Sequence, residues 1–340
     1  MIELFRATGF GCLVDVTLKL TPIHALIGPN DSGKSTILRA LDRIASVCLK
    51  GPAGTYGDPN EAYGLAAQLH AGRFSIIQEG GSGKITEKFD ATRTRRSSGS
   101  AIQRTKDRTK LRQALRKELA GSRLIRFDGD ALRMESGLIP DEHLPSFFES
   151  RGQGLPGVYQ SILSQGDATF QTISDDVRRL FPTVQTIRVP ATKANTVVLE
   201  TTLKNGTRVR ADRMSEGLLY YLAYAALPYL DPVSLVLVEE PENGLHPARI
   251  AEVIRMLRNY GAATKTQIVM ATHSPLVVNE LQPEEVTVVT RPSAEAGTEV
   301  TPLTETPNFE KRSKVFELGE LWLSYADGAL ETPLLTGDSQ

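Results

Sequence analysis

Gly28-Pro-Asn-Asp-Ser-Gly-Lys-Ser-Thr36 is the stretch on which the reading of this chain turns. It meets the pattern G-x-x-x-x-G-K-[ST] at every fixed position and lies directly behind the apolar run Ala25-Leu26-Ile27. Ser35 to Leu49 after it is compatible with a helix. Strand, glycine-rich loop and helix is the context in which such a loop cradles phosphate. The glycines let successive N–H groups point inward, and the helix adds its positive N-terminal end. Gly28, Pro29, Asn30, Asp31, Ser32, Gly33, Lys34, Ser35 and Thr36 are therefore the expected triphosphate-binding residues. Lys34 would reach the β- and γ-phosphates, and the Ser35 hydroxyl would take a Mg²⁺ coordination site. A glycine-rich turn before an ordinary helix would need neither the lysine nor the Ser-Thr pair in register.

Upstream, Cys12 to Leu20 places Leu13, Val16, Leu18 and Leu20 among polar residues, as a half-buried strand does. Downstream, Gly51-Pro-Ala-Gly-Thr-Tyr-Gly-Asp-Pro59 reads as a long connection. From Arg93 to Arg126 the chain turns basic, with only Asp107 and Glu118 in opposition. Thr109 to Leu119 fits a short helix carrying Leu111, Leu115 and Leu119 on one side. Arg104, Arg108, Lys110, Arg112, Arg116 and Lys117 are candidates for contact with nucleic-acid phosphates or a partner protein, the alternative being a solvated face. Thr186 to Leu203 reads as two strands, Val197–Leu203 the clearer, and Asn205-Gly206 as a hairpin turn into Thr207–Arg210.

The second half supplies acids. Val233-Ser-Leu-Val-Leu-Val238 is an apolar run ending in Glu239-Glu240, the Walker B arrangement of a buried parallel strand that delivers carboxylates at its C-terminal end. Glu239 is expected to hold Mg²⁺, and Glu240 to orient or deprotonate the water that attacks the γ-phosphate. A further apolar strand, Gln267 to Ala271, leads into Thr272-His273-Ser274-Pro275. A lone histidine usually packs or caps, but His273 should end a strand lying beside Glu239-Glu240, within reach of a γ-phosphate. Ser215, in Met214-Ser-Glu-Gly217, is placed to cap a helix that runs apolar through Leu218, Leu219, Leu222 and Ala226.

The 340 residues, 40% hydrophobic and 23% charged with a formal net charge of −1, allow one large or two smaller globular domains and exclude a globally basic surface. Two cysteines, Cys12 and Cys48, form neither a disulfide framework nor a metal-ligand spacing, which points to a reduced, cytoplasmic setting. Met1–Arg6 lacks the pattern of a signal peptide. Gly217–Val238 holds a single charge, Asp231, but Pro228 and Asp231-Pro232 divide it into buried helix, turn and central strand rather than a membrane span.

Taken in order, Gly28–Thr36, Met214–Gly217, Leu235–Pro247 and Ala271–Pro275 resemble the motifs of an ABC-type ATPase head. More narrowly they resemble the SMC/RecF/OLD-like group, with Glu239-Glu-Pro-Glu-Asn-Gly-Leu-His-Pro247 the most specific stretch and Gly319–Leu323 a recurrent tail. The resemblance implies an α/β fold, a two-lobed head with a mixed or parallel central sheet carrying the phosphate loop and a helical or irregular insertion. The expected division is 1–50, strands and phosphate loop; 51–185, insertion with the basic segment; and 186–340, the second half of the head. ATP and Mg²⁺ are the implied cofactors. Ser215, Glu216 and Gly217 become a signature that meets the γ-phosphate held by a second copy, and Asn243 and Gly244 take the D-loop position at that interface. Gln78, Gln153 and Gln160 are all possible Q-loop glutamines.

The departures from the family are informative. Ser-Glu-Gly lacks the fuller signature of transporter heads, and the chain has neither a long coiled coil nor a Cys-x-x-Cys hook. Fifty residues follow Thr290, against roughly 100 for a typical small domain, so a Toprim nuclease domain is not expected. The resulting expectation is a Mg²⁺-dependent ATPase that dimerises on ATP and controls a separate effector, a nuclease or toxin, in bacterial anti-phage defence. The alternative is a RecF-like DNA-binding ATPase of repair or recombination, with DNA or RNA held by the 93–126 segment. A small-molecule kinase would need neither Ser215-Glu-Gly217 nor His273.

Overall fold

Long apolar strands alternating with amphipathic helices build two compact units in the computed structural model, which describes residues 1–51, 60–91, 101–140, 142–293, 295–307, 309–313 and 317–323. The chain opens with β1 (Ile2–Phe10), β2 (Leu13–Lys19), β3 (Ile23–Ile27) and α1 (Lys34–Lys50). Then come β4 (Tyr63–Leu69), β5 (Gly72–Gln78), β6 (Ile85–Ala91), α2 (Ala101–Glu118) and β7 (Ser122–Ile125). The middle holds α3 (Gly129–Arg133), β8 (Ser136–Gly137), α4 (Leu155–Ser164), α5 (Asp167–Leu180), β9 (Val184–Arg188), β10 (Ala191–Lys193) and β11 (Thr196–Val197). It ends with β12 (Glu200–Leu203), β13 (Arg208–Arg210) and α6 (Glu216–Ala226). The last part adds β14 (Leu235–Glu239), α7 (Pro247–Thr264), β15 (Gln267–Thr272), α8 (Pro275–Asn279), β16 (Val286–Thr290) and β17 (Glu299–Pro302).

The first unit, residues 1–124, 233–241 and 261–340, contains two sheets. One is antiparallel in the order β2-β1-β4-β5-β6; the other runs β17-β16-β3-β15-β14-β7. In the second sheet β3, β14 and β15 are buried along their whole length and pair in parallel, as strands covered on both faces do. α1 fills the space between the sheets: Ile37, Leu38, Leu41, Ile44 and Cys48 share one core with Phe5, Leu65 and Phe74 of the first sheet and Leu237 and Val269 of the second. At helical spacing these residues cover more than one face, which is why both sides of α1 are buried.

The second unit, residues 125–232 and 242–260, contains α3 to α6 and two three-stranded sheets, β10-β11-β8 and β13-β12-β9. Its core is aromatic: the Tyr159 hydroxyl donates to Leu222 O at 2.9 Å, and the Phe127 and Tyr224 rings meet edge to face with centroids 4.9 Å apart. α6 is buried from Leu218 to Ala226, matching its unbroken apolar sequence. Among the described residues no helix is long and apolar enough to cross a membrane.

Three expectations are corrected. Residues 51–185 are not one insertion, because β4 hydrogen-bonds to β1 and brings β5, β6 and α2 into the first unit. Val197–Leu203 is not one strand: β11 pairs with β8 and β10, whereas β12 pairs with β9 and β13, so the buried Val198 and Leu199 carry the chain between two sheets. The basic helix begins at Ala101 rather than Thr109, since nothing between 101 and 118 breaks a helix. Its apolar side is as expected, with Leu115 and Leu119 buried and Leu111 packed against the core. The Asn205-Gly206 turn is also present, with Gly206 at φ 84°.

His24 on β3 is 2% exposed and bridges Thr21 Oγ1 at 3.0 Å and Thr287 Oγ1 at 2.9 Å. Burial lowers its pKa from 6.5 to about 4. The unfolded chain therefore binds the extra proton between these values, and stability present above pH 6.5 is lost as pH falls toward 4, by up to about 3 kcal/mol. Melting temperatures at pH 7 and pH 5 should differ more for the wild type than for His24→Gln. A parallel fall in both proteins would contradict this assignment.

Candidate nucleotide site at the strand ends

The phosphate loop leaves β3 where the backbone has no room for a side chain. A Cβ on Gly28 would lie 2.0 Å from Val289 O on the neighbouring strand. Asp31 (φ 66°) and Gly33 (φ 106°) curl the loop through the left-handed region, and α1 starts directly from Gly33. The first turn of α1 thus meets the loop with the positive end of the helix dipole. Lys34 folds back, its Nζ donating to Gly28 O at 2.7 Å and Pro29 O at 2.6 Å. The ammonium is thus held over the loop by the loop's own carbonyls.

β14 and β15 bring the acids and the histidine to the same edge. Their parallel register sets Glu239 opposite Ala271, and Glu240 N donates to Ala271 O at 2.8 Å. Asn30 to Thr36, Glu239, Glu240, Cys12 and Ala271 line one cavity of about 250 Å³. Glu240 sits at φ 50°, a strained backbone for a non-glycine residue of the kind that concentrates at functional sites. His273 Nδ1 lies 3.8 Å from Glu240 Oε1, so the two expected catalytic side chains are neighbours. Among the described residues no three His, Cys, Asp or Glu side chains cluster as a metal cage. Ser35 and Glu239 on one cavity wall instead suit Mg²⁺, which takes one or two protein ligands and fills its octahedron with phosphate oxygens and water.

The residues expected to form the signature and D-loop lie together in the second unit. Ser215 occupies the N-cap position of α6 in extended conformation (ψ 142°), but its exposed hydroxyl makes no capping bond. Leu218 and Leu219 donate to the Ser215 carbonyl instead, at 3.2 Å each. Glu216 pairs with Arg133 at 3.7 Å. Gly217 approaches Gly244, whose carbonyl would be 3.4 Å from a Cβ at 217. Gly244 (φ 68°) in turn lies against the Tyr220 ring, where a Cβ would come within 2.6 Å. Asn243 and Gly244 are thus packed onto the first turns of α6.

Other candidates fall elsewhere. Arg112 pairs with Glu87 at 3.3 Å and stacks over Phe89 at 5.2 Å, which holds α2 against the sheet, and Arg116 is half-buried. Lys110 and Lys117 are exposed, while the side chains of Arg104 and Arg108 and the whole of 92–100 lie outside the described residues. Gln78 is 3% exposed and engaged in structure, accepting from Arg43 Nη2 at 3.4 Å and donating to Glu61 O at 3.0 Å. Gln153 and Gln160 belong to the second unit. Among the described residues of the first unit, no glutamine lines the cavity. Cys12 does line it, a residue without any local motif, and its place follows only from the β1–β2 turn folding against the loop.

A family model for the AAA_21 domain, described as "AAA domain, putative AbiEii toxin, Type IV TA system", matches residues 23–279, more than half of the chain. The chain belongs to the AAA_21 family. The matched range holds Gly28–Thr36, Ser215–Gly217, Glu239-Glu240 and His273 of this AAA_21 protein. A curated relative, the OLD nuclease of Thermus scotoductus, is 46% identical over 44 residues, which is 13% of this chain and 8% of that nuclease. Among solved structures, an Smc head bound to the C-winged helix domain of ScpA matches with a TM-score of 0.59 at 14% identity. That match covers 88% of this chain and 97% of the other. An Smc head with an extended coiled coil, bound to the C-terminal domain of ScpA and derived from Pyrococcus furiosus, matches with a TM-score of 0.51 at 12% identity, covering 88% and 95%. The AAA_21 chain therefore has the fold of an SMC-type ATPase head.

Proposed function

We propose that this chain hydrolyses ATP with Mg²⁺, dimerises head to head on ATP, and through that cycle regulates a separate effector, a nuclease or toxin, in cytoplasmic bacterial anti-phage defence. The observation that carries the reading is the juxtaposition of Glu240, strained at φ 50° and 3.8 Å from His273, with the phosphate-loop cavity. Ser35 and Glu239 would hold Mg²⁺, which supplies charge neutralisation at the phosphate oxygens. Lys34 binds the β- and γ-phosphates, Glu240 takes the proton of the attacking water, and His273 orients that water and the γ-phosphate. Ser215 and the N-terminus of α6 meet the γ-phosphate of the second copy, with Glu216, Gly217, Asn243 and Gly244 shaping that contact. The uncapped, exposed Ser215 hydroxyl supports this role, since it is free to donate to an external acceptor.

The effector half of the reading draws on the toxin–antitoxin wording of the family, the short OLD nuclease match and the protein-bound state of the two Smc heads. Phosphate release by the purified chain with ATP and Mg²⁺, together with its mass by light scattering with and without ATP, tests the proposal. Turnover with an ATP-dependent rise in mass is expected; no turnover above background contradicts it.

A second reading, DNA or RNA contact along α2, rests on the exposed Lys110 and Lys117. It predicts that DNA affinity falls steeply with salt and is abolished in Lys110→Glu/Lys117→Glu. Salt-insensitive or absent binding leaves α2 as a protein-docking or solvated face.

A further inference from the structure

The loop is held from outside the cavity by a hairpin that the chemistry above does not use. β16 runs parallel to β3 and pairs with the antiparallel β17, before which lies Thr298. Thr298, 3% exposed, donates its N–H to Cys12 O at 2.9 Å and its hydroxyl to Ser32 O at 2.9 Å. The Cys12 sulfur lies 3.3 Å from that hydroxyl oxygen and 3.5 Å from Thr36 Oγ1, so the thiol joins the hairpin to the first turn of α1. Arg291, from the same hairpin, pairs with Asp31 at 3.6 Å. The fit is close: a Cβ on Gly33 would stand 2.1 Å from Thr298 Oγ1 and 3.0 Å from Cys12 Sγ.

We propose that Thr298 is a positioning residue for triphosphate binding. A trans peptide is planar, so the Ser32 carbonyl and the Gly33 N–H point in opposite directions. Anchoring the carbonyl on Thr298 turns the Gly33 N–H away from the hairpin; Gly33 lines the cavity and Thr298 does not. The bond thus aims a phosphate donor without touching the nucleotide. Arg291 also pairs with the exposed Asp31 carboxylate of the loop. The loop's curl therefore depends on a residue far downstream in the chain as well as on its own glycines.

The inference rests on the reading of this loop as a triphosphate site, and the test separates the two. Thr298→Val keeps the shape and removes the hydroxyl donor, while Thr298→Ser keeps the donor. The affinity for a fluorescent ATP analogue, and KM and kcat for ATP, are measured on the full chain. Thr298→Val should weaken affinity and raise KM about tenfold with kcat within about twofold, and Thr298→Ser should stay near the wild type. Unchanged affinity in Thr298→Val, or a fall in kcat alone, overturns the proposal. A wild type that binds no analogue defeats the triphosphate reading instead. Should Thr298→Val fail to fold, hydrogen exchange on the wild type decides. ATP must slow exchange in 291–298 as well as in 28–36, and protection confined to the loop overturns the proposal.

Discussion

Glu240→Gln is expected to lower ATP turnover by about 10²–10⁴-fold while ATP affinity stays within a few-fold of the wild type. The amide keeps the length of the side chain and its hydrogen-bonding reach, but it cannot accept the proton of an attacking water. The backbone at 240 is already held at φ 50° by the bond from its N–H to Ala271 O, so the substitution leaves the turn as it is. Glu239 and Ser35, the pair suited to Mg²⁺, are untouched. His273, 3.8 Å away, loses an acidic neighbour and cannot replace the base on its own. Single-turnover phosphate release gives the rate, and a fluorescent ATP analogue gives the affinity. Unchanged hydrolysis would remove Glu240 as the general base.

Ser215→Arg is expected to leave ATP affinity within about twofold while abolishing ATP-dependent association and most of the turnover. Ordinarily, replacing an N-cap serine costs about 1 kcal/mol of helix stability. Here the hydroxyl makes no capping bond and the first-turn bonds go to the backbone carbonyl, so α6 should fold unaltered. What changes is the exposed surface: a bulky cation replaces a small donor at the end of the helix. The phosphate loop and Lys34 lie in the other unit and keep their geometry. Light scattering with ATP reads the association, and an unaltered mass shift would defeat the assignment of Ser215 to a second copy's phosphate.

The parts of the site legible in the sequence are those encoded locally. Gly28–Thr36, Glu239-Glu240 and His273 each follow an apolar strand. Parallel strands in one sheet deliver their C-terminal ends to one edge, so three distant segments line up without any long-range clue. Cys12, Arg291 and Thr298 were not legible. The bond between Thr298 and Ser32 spans 266 residues and depends on β16 lying beside β3, which no local pattern encodes. The break at Val198-Leu199 escaped for a related reason: an unbroken apolar run shows burial but not a change of partner sheet. The 51–185 segment looked like an insertion because it opens on a glycine- and proline-rich connection, yet β4 adds directly to β1. Gln78 was one of three possible Q-loop glutamines, and its bonds with Arg43 and Glu61 join residues 17 or more positions apart that no local pattern pairs.

The central claim is that ATP closes two copies of this chain around two nucleotides. The most direct measurement is the light-scattering mass of Glu240→Gln with Mg²⁺ and saturating ATP, binding having been verified on the same sample. The mass should rise from 37.1 kDa to twice that value, reversed when ATP is removed and absent in the double variant with Ser215→Arg. A mass that stays at 37.1 kDa with ATP bound would contradict the claim.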